Sequence, residues 1–495
     1  MVRCKNRHLY WGVLAVNLVI LLRNIQRLNP QIENHHESES EKNKSQPLAT
    51  IPELDSIQPL VTSQAPVRPY INLVSPLIKA DHHAVYNDVM EKRRRHWGGP
   101  PPPPRNLTVD YTLNCAEMIS GNETELKRSE TYYQSLPKKM RPDSDYLGVH
   151  QHCNAFLTSH GYFTKPVTLE EKQFPLAFGI LMYKEVAQTE FLLRTIYRPQ
   201  NIYCIHIDSD SNLEVKQAMK SIAKCFPNVF IASKLEEIIY GGFARLQADI
   251  NCMADLLQTQ TQWKYYMNLA SQTLPLKTNL EIVKILKIYN GANDIEGHTR
   301  HDFQTWRFNH SWRVVSKNKG GDPSYERGDI KLPPPHNLTL VTGSAYGVFS
   351  RGFVEFINRD KIAYDLLEWS RDTYSPDEHY WATLHHLYSN PHLDTPGGYK
   401  GVPDDKLWLA VYAIWNADWN KDEVCHGMFT RQICIFGVGD LVMLMKNPAL
   451  FANKFYLDFQ YHTAECLFEY LHNRTLHQTA FDTRFYENLP FIIKK

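Results

Sequence analysis

From Phe174 onward the chain alternates buried-strand and amphipathic-helix patterns, and this alternation limits the fold more than any other feature. "FPLAFGILMY" (174–183) is a continuous apolar run, as in a strand covered on both faces. "EVAQTEFLLRTIY" follows, with Val186, Leu193 and Ile196 on one side of a helix. "NIYCIHID" (201–208) is a second buried strand that ends in an acid. A helix near 212–224 and a short strand "NVFIAS" come next. Phe243, Leu246, Ile250, Met253 and Leu257 recur at 3-4-3-4 spacing, which predicts an amphipathic helix. "WKYYMNLAS" (263–271) is predicted as a strand, and Thr278 with Glu281 forms a capping box before "NLEIVKILK". The predicted fold class is α/β, a mostly parallel sheet with helices on both faces. Ligands in such sheets bind at the carboxyl ends of the strands, which puts Tyr183, Asp208 and Ser271 near a crevice.

The N-terminus predicts where this body resides. Arg3, Lys5 and Arg7 precede an apolar run from Leu9 to Leu22 in which only Asn17 is polar. A spanning helix usually needs about 20 residues, so a cleaved signal peptide competes with a short anchor. No small-x-small cleavage site follows the run, whereas Arg23, Asn24 and Gln26 do, and this favours an uncleaved signal anchor. The expected division is a cytosolic tail (1–8), an anchor helix (9–22), a proline-rich stem (23–110) and one lumenal domain (111–495). "GGPPPPP" (98–104) is stiff polyproline chain and "NHHESESEKNKSQ" is polar, so the stem is read as a tether. Asn-x-Ser/Thr sequons at Asn43, Asn106, Asn122, Asn309, Asn337 and Asn473 agree with a lumenal home. Eight of the nine cysteines lie beyond the anchor, an even set that reads as disulfides; no Cys-x-x-Cys pair points to a metal.

Lys plus Arg number 54 and Asp plus Glu 53, so the net charge is +1 and gives no general reason to bind nucleic acid. Aromatic residues make up 12%, enough for carbohydrate platforms but more often plain core.

Two acidic motifs carry candidate chemistry. In "SPDEHYWATL" (375–384), Asp377 and Glu378 run straight into aromatic chain. One reading is a helix start, with Ser375 as N-cap, Pro376 in the first turn and acids favoured by the dipole. The other is a partly desolvated base beside Tyr380 and Trp381. "HIDSDS" contains Asp208-Ser209-Asp210, an Asp-x-Asp that suits a hard divalent cation and equally suits a turn after a strand.

"TIYRPQNIYCIHID", "NCMADL", "LPLKTNLEIVKILK", "GSAYGVFSR", "DTYSPDEHYWATL", "ICIFGVGDL" and "LFANKF" together resemble the core-2/I-branching β-1,6-N-acetylglucosaminyltransferases, in the same order along roughly 115–475. The resemblance implies a GT-A-type nucleotide-sugar-binding fold and a Golgi type II membrane enzyme. It implies an inverting reaction, in which an acceptor hydroxyl attacks the anomeric carbon of a UDP-α-sugar. Glu378 matches the family's catalytic base. Arg431 and Lys454 match cations that stabilise the diphosphate without a metal. Asp208 is then expected to bind the nucleotide; Asp210 departs from the family pattern and keeps Mn²⁺ through Asp208 and Asp210 as the minority reading. Leu181, Met182, Tyr183, Tyr240 and Arg245 match positions lining the donor site. Glu296, Arg307 and Trp415 match acceptor-binding positions. Gln304 stands where Lys is expected and Ala417 where Tyr is expected; each removes a contact, worth about 0.5–1.5 kcal/mol for a neutral hydrogen bond and more for one to a charge.

The same resemblance implies disulfides Cys115–Cys466, Cys153–Cys225, Cys204–Cys252 and Cys425–Cys434. The first closes a loop worth roughly 4 kcal/mol or more in the chain-entropy model. Ala270 stands where some members carry a free cysteine. The expected function is transfer of a β-1,6-linked GlcNAc from UDP-GlcNAc to the O-glycan Galβ1-3GalNAc on glycoproteins. The alternatives are another donor, UDP-glucose or UDP-xylose, or an inactive sugar-binding module.

Overall fold

The computed structural model describes residues 113–494 apart from 136–139, 300–303, 317–321 and 418–422. The tail, the apolar run 9–22, the stem to residue 110, Asn43 and Asn106 lie outside the described residues. No helix among the described residues is long and apolar enough to cross a membrane.

The strands follow the sequence pattern closely at first. They are β1 (Leu176–Met182), β2 (Ile202–Ile207), β3 (Val229–Ile231) and β4 (Tyr265–Ala270). Next come β5 (Thr273–Pro275), β6 (Asp294–Ile295), β7 (His310–Ser316), β8 (Ser324–Ile330) and β9 (Gly347–Ser350). The last are β10 (Val411–Tyr412), β11 (Met428–Thr430), β12 (Ile433–Ile435) and β13 (Phe451–Asn453). The central sheet runs β3-β2-β1-β4-β9-β6. Its first four strands are parallel, and β9 is antiparallel to both β4 and β6. The mixed α/β architecture is thus the expected one, with one reversed strand inserted.

Side-chain alternation sends the two faces of the sheet into separate cores. Phe178, Ile180 and Met182 of β1 pack with Leu192, Val215 and Ile282 from the helices Val186–Ile196, Leu213–Ala223 and Asn279–Tyr289. Ala177 and Tyr266 face the other way, against Leu246, Phe353 and Leu366 from the helices Phe243–Leu257, Arg351–Arg359 and Lys361–Trp369. Local chemistry sets the helix starts. Asn212 Oδ1 accepts the Val215 N–H at 2.8 Å. The Thr278/Glu281 capping box forms in both directions.

Four disulfides are present, Cys115–Cys466, Cys153–Cys225, Cys204–Cys252 and Cys425–Cys434. The first spans 351 residues and ties the start of the described body to its end. A small second sheet, β10-β13-β5, brings late chain beside early chain. Through it the Phe455 N–H reaches the Gln272 carbonyl at 2.8 Å, so Lys454 lies by the carboxyl end of β4.

The turn holding Glu378 is fixed from several distant segments. Ser375 does not cap a helix: its φ is +46° and its side chain makes no cap bond. Its N–H instead donates to the Gly241 carbonyl at 2.7 Å. The Tyr374 N–H donates to the Arg307 carbonyl at 2.8 Å, and the Gly343 N–H to the Glu378 carbonyl at 2.8 Å. Pro376–Glu378 is one 3₁₀ turn, and the helix Tyr380–His385 begins only after His379. The cross-chain bonds win over the local helix-start signal. Two glycines permit this approach. Gly241 has φ +74°, and a Cβ there would come within 2.8 Å of the Tyr374 ring. A Cβ on Gly343 would collide with the Glu296 carbonyl oxygen.

Gly343→Ala is therefore expected to destabilise the fold by about 1–3 kcal/mol, read as a lower urea midpoint. Gly148→Ala, where an added Cβ meets nothing within 4 Å, is the control and is expected to leave the midpoint in place.

Candidate active site

The carboxyl ends of β1, β2 and β4 meet as the alternation predicts. The Asp208 N–H donates to the Met182 carbonyl at 2.8 Å and the Ser271 N–H to the Leu181 carbonyl at 3.0 Å. Ser211 Oγ donates to the Tyr183 carbonyl at 2.6 Å. Met182 and Ser271 are buried, Leu181 is half-buried, and the Tyr183 ring is exposed.

Asp208 is buried, and its two oxygens accept backbone N–H groups from Asp210 at 2.9 Å and Ile238 at 3.3 Å. Burial raises its pKa, and the two N–H bonds pull it back. Asp210 is exposed. The Asp-x-Asp pattern therefore forms a closed turn whose first carboxylate already has backbone partners. A hard cation needs several oxygen ligands. Among the described residues the one grouping of three possible ligand atoms is Cys425, Cys434 and Asp440, and its two sulfurs are joined in a disulfide.

Glu378 faces the cleft from its 3₁₀ turn with its side chain 35% exposed, and Arg307 Nη1 pairs with its Oε2. Burial raises the Glu378 pKa, Arg307 opposes the rise, and the neighbouring Asp377 charge adds to it. Asp377 is buried and bound to Arg245 at 2.9 Å. Arg245 also holds Asp249 at 3.2 Å, and Asp249 accepts from Asn268 Nδ2 at 3.0 Å. Burial pushes Asp249 up to about 6. Arg245 thus anchors the base-bearing turn to the sheet through two carboxylates.

Two cations, Arg431 and Lys454, belong to the same neighbourhood, since Tyr240 feels the charges of both Glu378 and Arg431. Arg431 and Gln432 form the two-residue loop of the β11–β12 hairpin, with φ +49° and +64°. Such left-handed loops match the twist of a hairpin but are uncommon for residues other than Gly and Asn. Cys425–Cys434 braces this hairpin. The Lys454 N–H donates to the Cys434 carbonyl at 3.3 Å, so Lys454 follows the hairpin's second strand. Burial and the Arg431 charge both lower the Lys454 pKa. Arg431 pairs with the exposed Asp322 at 2.8 Å, and no carboxylate among the described residues pairs with Lys454. Two like charges held this close favour an anion.

Tyr240 is 55% exposed. The Arg431 guanidinium is 5.0 Å from its ring centroid. Burial raises the Tyr240 phenol, the Glu378 charge raises it further, and Arg431 lowers it.

The acceptor candidates fall in separate places near the Glu378 turn and the Arg431 hairpin. Trp415, 40% exposed, bridges Ile433 of β12 beside Arg431. Glu296 follows β6, and His298 Nε2 lies 3.3 Å from its carboxylate. Gln304 takes part through its backbone, its carbonyl accepting the Arg307 N–H at 2.9 Å. Of the sequons, Asn122, Asn309 and Asn337 are exposed. Asn473 is half-buried in the helix His462–His477, and Thr475 of its sequon is buried and donates to Leu471.

Sequence reading missed Trp306, Tyr374, Asp249 and Asp322. Tyr374 and Trp306 carry some signal as aromatics beside Ser375 and Arg307. Asp249 shows in the sequence only as an i,i+4 partner of Arg245, an ordinary helix-surface pair, and Asp322 carries no signal because Arg431 lies far away in the chain.

The core-2/I-branching enzyme family matches residues 176–444. The chain is 37% identical to β-1,3-galactosyl-O-glycosyl-glycoprotein β-1,6-N-acetylglucosaminyltransferase 3 of Rattus norvegicus, over 74% of this chain and 84% of that protein. It is 35% identical to the Homo sapiens β-1,3-galactosyl-O-glycosyl-glycoprotein β-1,6-N-acetylglucosaminyltransferase, over 74% and 86%. It is 40% identical to the Homo sapiens N-acetyllactosaminide β-1,6-N-acetylglucosaminyl-transferase, over 66% and 79%. With the family match covering more than half of the chain and these relatives spanned over most of their length, the chain belongs to the core-2/I-branching enzyme family.

Proposed function

We propose that this glycosyltransferase is inverting and moves GlcNAc from UDP-GlcNAc to the 6-hydroxyl of GalNAc in Galβ1-3GalNAc, forming a β-1,6 branch on glycoprotein O-glycans. The observation that carries the reading is that Tyr240 lies within reach of both the Glu378 carboxylate and the Arg431 guanidinium, with Lys454 near Arg431. The carboxylate supplies a base and the two cations a surplus of positive charge. A lectin needs neither.

In this reading the acceptor hydroxyl enters between Arg307 and Glu378. Glu378 takes its proton as the oxygen attacks the anomeric carbon. The bond from that carbon to the UDP oxygen breaks, and UDP leaves with the electron pair. Arg431 and Lys454 meet the developing diphosphate charge. A raised pKa suits Glu378 to this task, since a stronger base takes a hydroxyl proton more readily. Glu296 and Trp415 would orient the acceptor, and Leu181, Met182, Tyr183 and Asp208 the nucleotide.

The diphosphate is met without a metal in this account. Its support is the backbone pairing of both Asp208 oxygens, together with the exposure of Asp210. A Golgi type II location is part of the same proposal, supported by the apolar run 9–22 and by four disulfides, which form in oxidising compartments. A second acceptor reading comes from the 40% identical relative, whose name gives an N-acetyllactosaminide acceptor. Ala417 and Gln304, which lack the contacts expected for Galβ1-3GalNAc, favour including it.

The test is transfer by the detergent-solubilised full chain in EDTA, with UDP-GlcNAc, UDP-glucose and UDP-xylose against both acceptors. GlcNAc transfer to Galβ1-3GalNAc in EDTA is expected. Transfer only from another donor, or only after Mn²⁺ is restored, overturns the donor or the metal part respectively. Glu378→Gln is expected to lower kcat about 10²–10⁴-fold, the range for removing a general base. Arg431→Ala and Lys454→Ala are each expected to lower kcat about 10²-fold, as for other fixed charges on a leaving group, with Mn²⁺ giving no rescue.

A further inference from the structure

We propose that the Trp306 indole is a stacking platform for a neutral sugar that extends the acceptor, so that the protein favours extended glycans over the bare disaccharide. This rests on the branching reading and names a residue that reading did not use.

Trp306 is 41% exposed, yet it is held rigidly. Its ring meets Trp312 edge-on at 5.5 Å and Tyr374 at 5.0 Å with a 49° tilt. Trp312 Nε1 donates to the Trp306 carbonyl at 3.0 Å, so one indole fixes the backbone of the other. Tyr325 meets Tyr374 edge-on at 5.1 Å, and its hydroxyl donates to the Tyr240 carbonyl at 2.6 Å. The 3₁₀ turn Thr305–Arg307, strands β7 and β8, and the turn before Glu378 thus build one aromatic wall. A rigid, exposed aromatic face loses little entropy on binding.

The wall stands at the right place for an acceptor. Arg307, the next residue after Trp306, pairs with Glu378, and its guanidinium carbon is 5.8 Å from the Trp306 ring centroid. A sugar over Trp306 would therefore neighbour the sugar whose hydroxyl meets the base. Indole offers an apolar face, which suits the C–H face of a pyranose. Arg313 pairs with Glu326 across the hairpin, and β8 adds Arg327 and Asp329, so the two strands carry as many positive as negative charges and a neutral sugar fits best. Gln304 and Ala417 lack contacts expected elsewhere in the acceptor site, and Trp306 offers one they do not.

The experiment compares kcat/KM of the solubilised full chain for Galβ1-3GalNAc and for the trisaccharide carrying one further neutral sugar on the galactose. Trp306→Ala is expected to lower the trisaccharide-to-disaccharide ratio of kcat/KM about tenfold, or ~1.4 kcal/mol. Trp306→Phe is expected to recover most of it, and the KM for UDP-GlcNAc to stay in place as a check on folding. An unchanged ratio, or equal loss on both acceptors, overturns the platform. Loss confined to a peptide-borne disaccharide also overturns it, because the wall would then serve the peptide. If the unmodified chain transfers to neither acceptor, the branching reading fails and the platform with it. If it transfers to both, that reading stands whatever the variants do.

Discussion

The buried link from Asp249 through Arg245 to Asp377 is the contact on which the rest of the site depends. It joins a helix on one face of the sheet to the turn that carries Glu378. Both carboxylates are almost fully buried, so each requires its partner: removing one side of such a pair leaves a charge with neither water nor a counter-ion, typically at a cost of about 3–5 kcal/mol. The backbone bonds from Gly241, Arg307 and Gly343 then fix the same turn from other directions. Glu378 can keep its side chain partly open to the cleft because its backbone has no freedom left.

The cation side is built by a different device. A two-residue hairpin loop in left-handed conformation, braced by a disulfide, presents Arg431 at its tip. The small second sheet carries Lys454 back beside it. Neither cation is neutralised deeply: Arg431 has one exposed partner, and Lys454 is held partly buried next to a like charge. An anion bound there would relieve that repulsion. The fold thus brings a raised carboxylate and an unbalanced positive pair into one neighbourhood, with Tyr240 within reach of the charges of both Glu378 and Arg431.

Much of this was legible in the sequence, and the limits have physical causes. The parallel strands, the helix Phe243–Leu257, the Thr278/Glu281 capping box and Asp208 at a strand end all arise from local pattern. Strand β9 was not readable, because a short apolar strand buried on both faces looks the same in either direction. Of the two readings of Ser375–Glu378, the helix start at Ser375 does not form, because bonds to Gly241 and Arg307 from distant chain override a local signal. Arg245 is half legible: Asp249 stands four residues on in its own helix, whereas Asp377 comes from far along the chain. Among the aromatics, Trp263, Trp381, Tyr266 and Tyr380 proved to be core, whereas Trp306, Tyr240 and Trp415 stay exposed around the cleft. Composition could not separate the two groups.

The central claim is that a partly desolvated Glu378 takes a hydroxyl proton. Its pKa is raised by burial, and only the carboxylate form can act as base. Activity should therefore disappear as pH falls through a midpoint above the ordinary carboxylate range. The most direct measurement is the pH dependence of kcat/KM for GlcNAc transfer to Galβ1-3GalNAc by the full chain in EDTA, beside that of Arg307→Gln. Because the Arg307 charge opposes the rise, the account predicts that the acid limb moves to still higher pH in that variant. An acid limb in the ordinary carboxylate range, or one that does not move in Arg307→Gln, would contradict it.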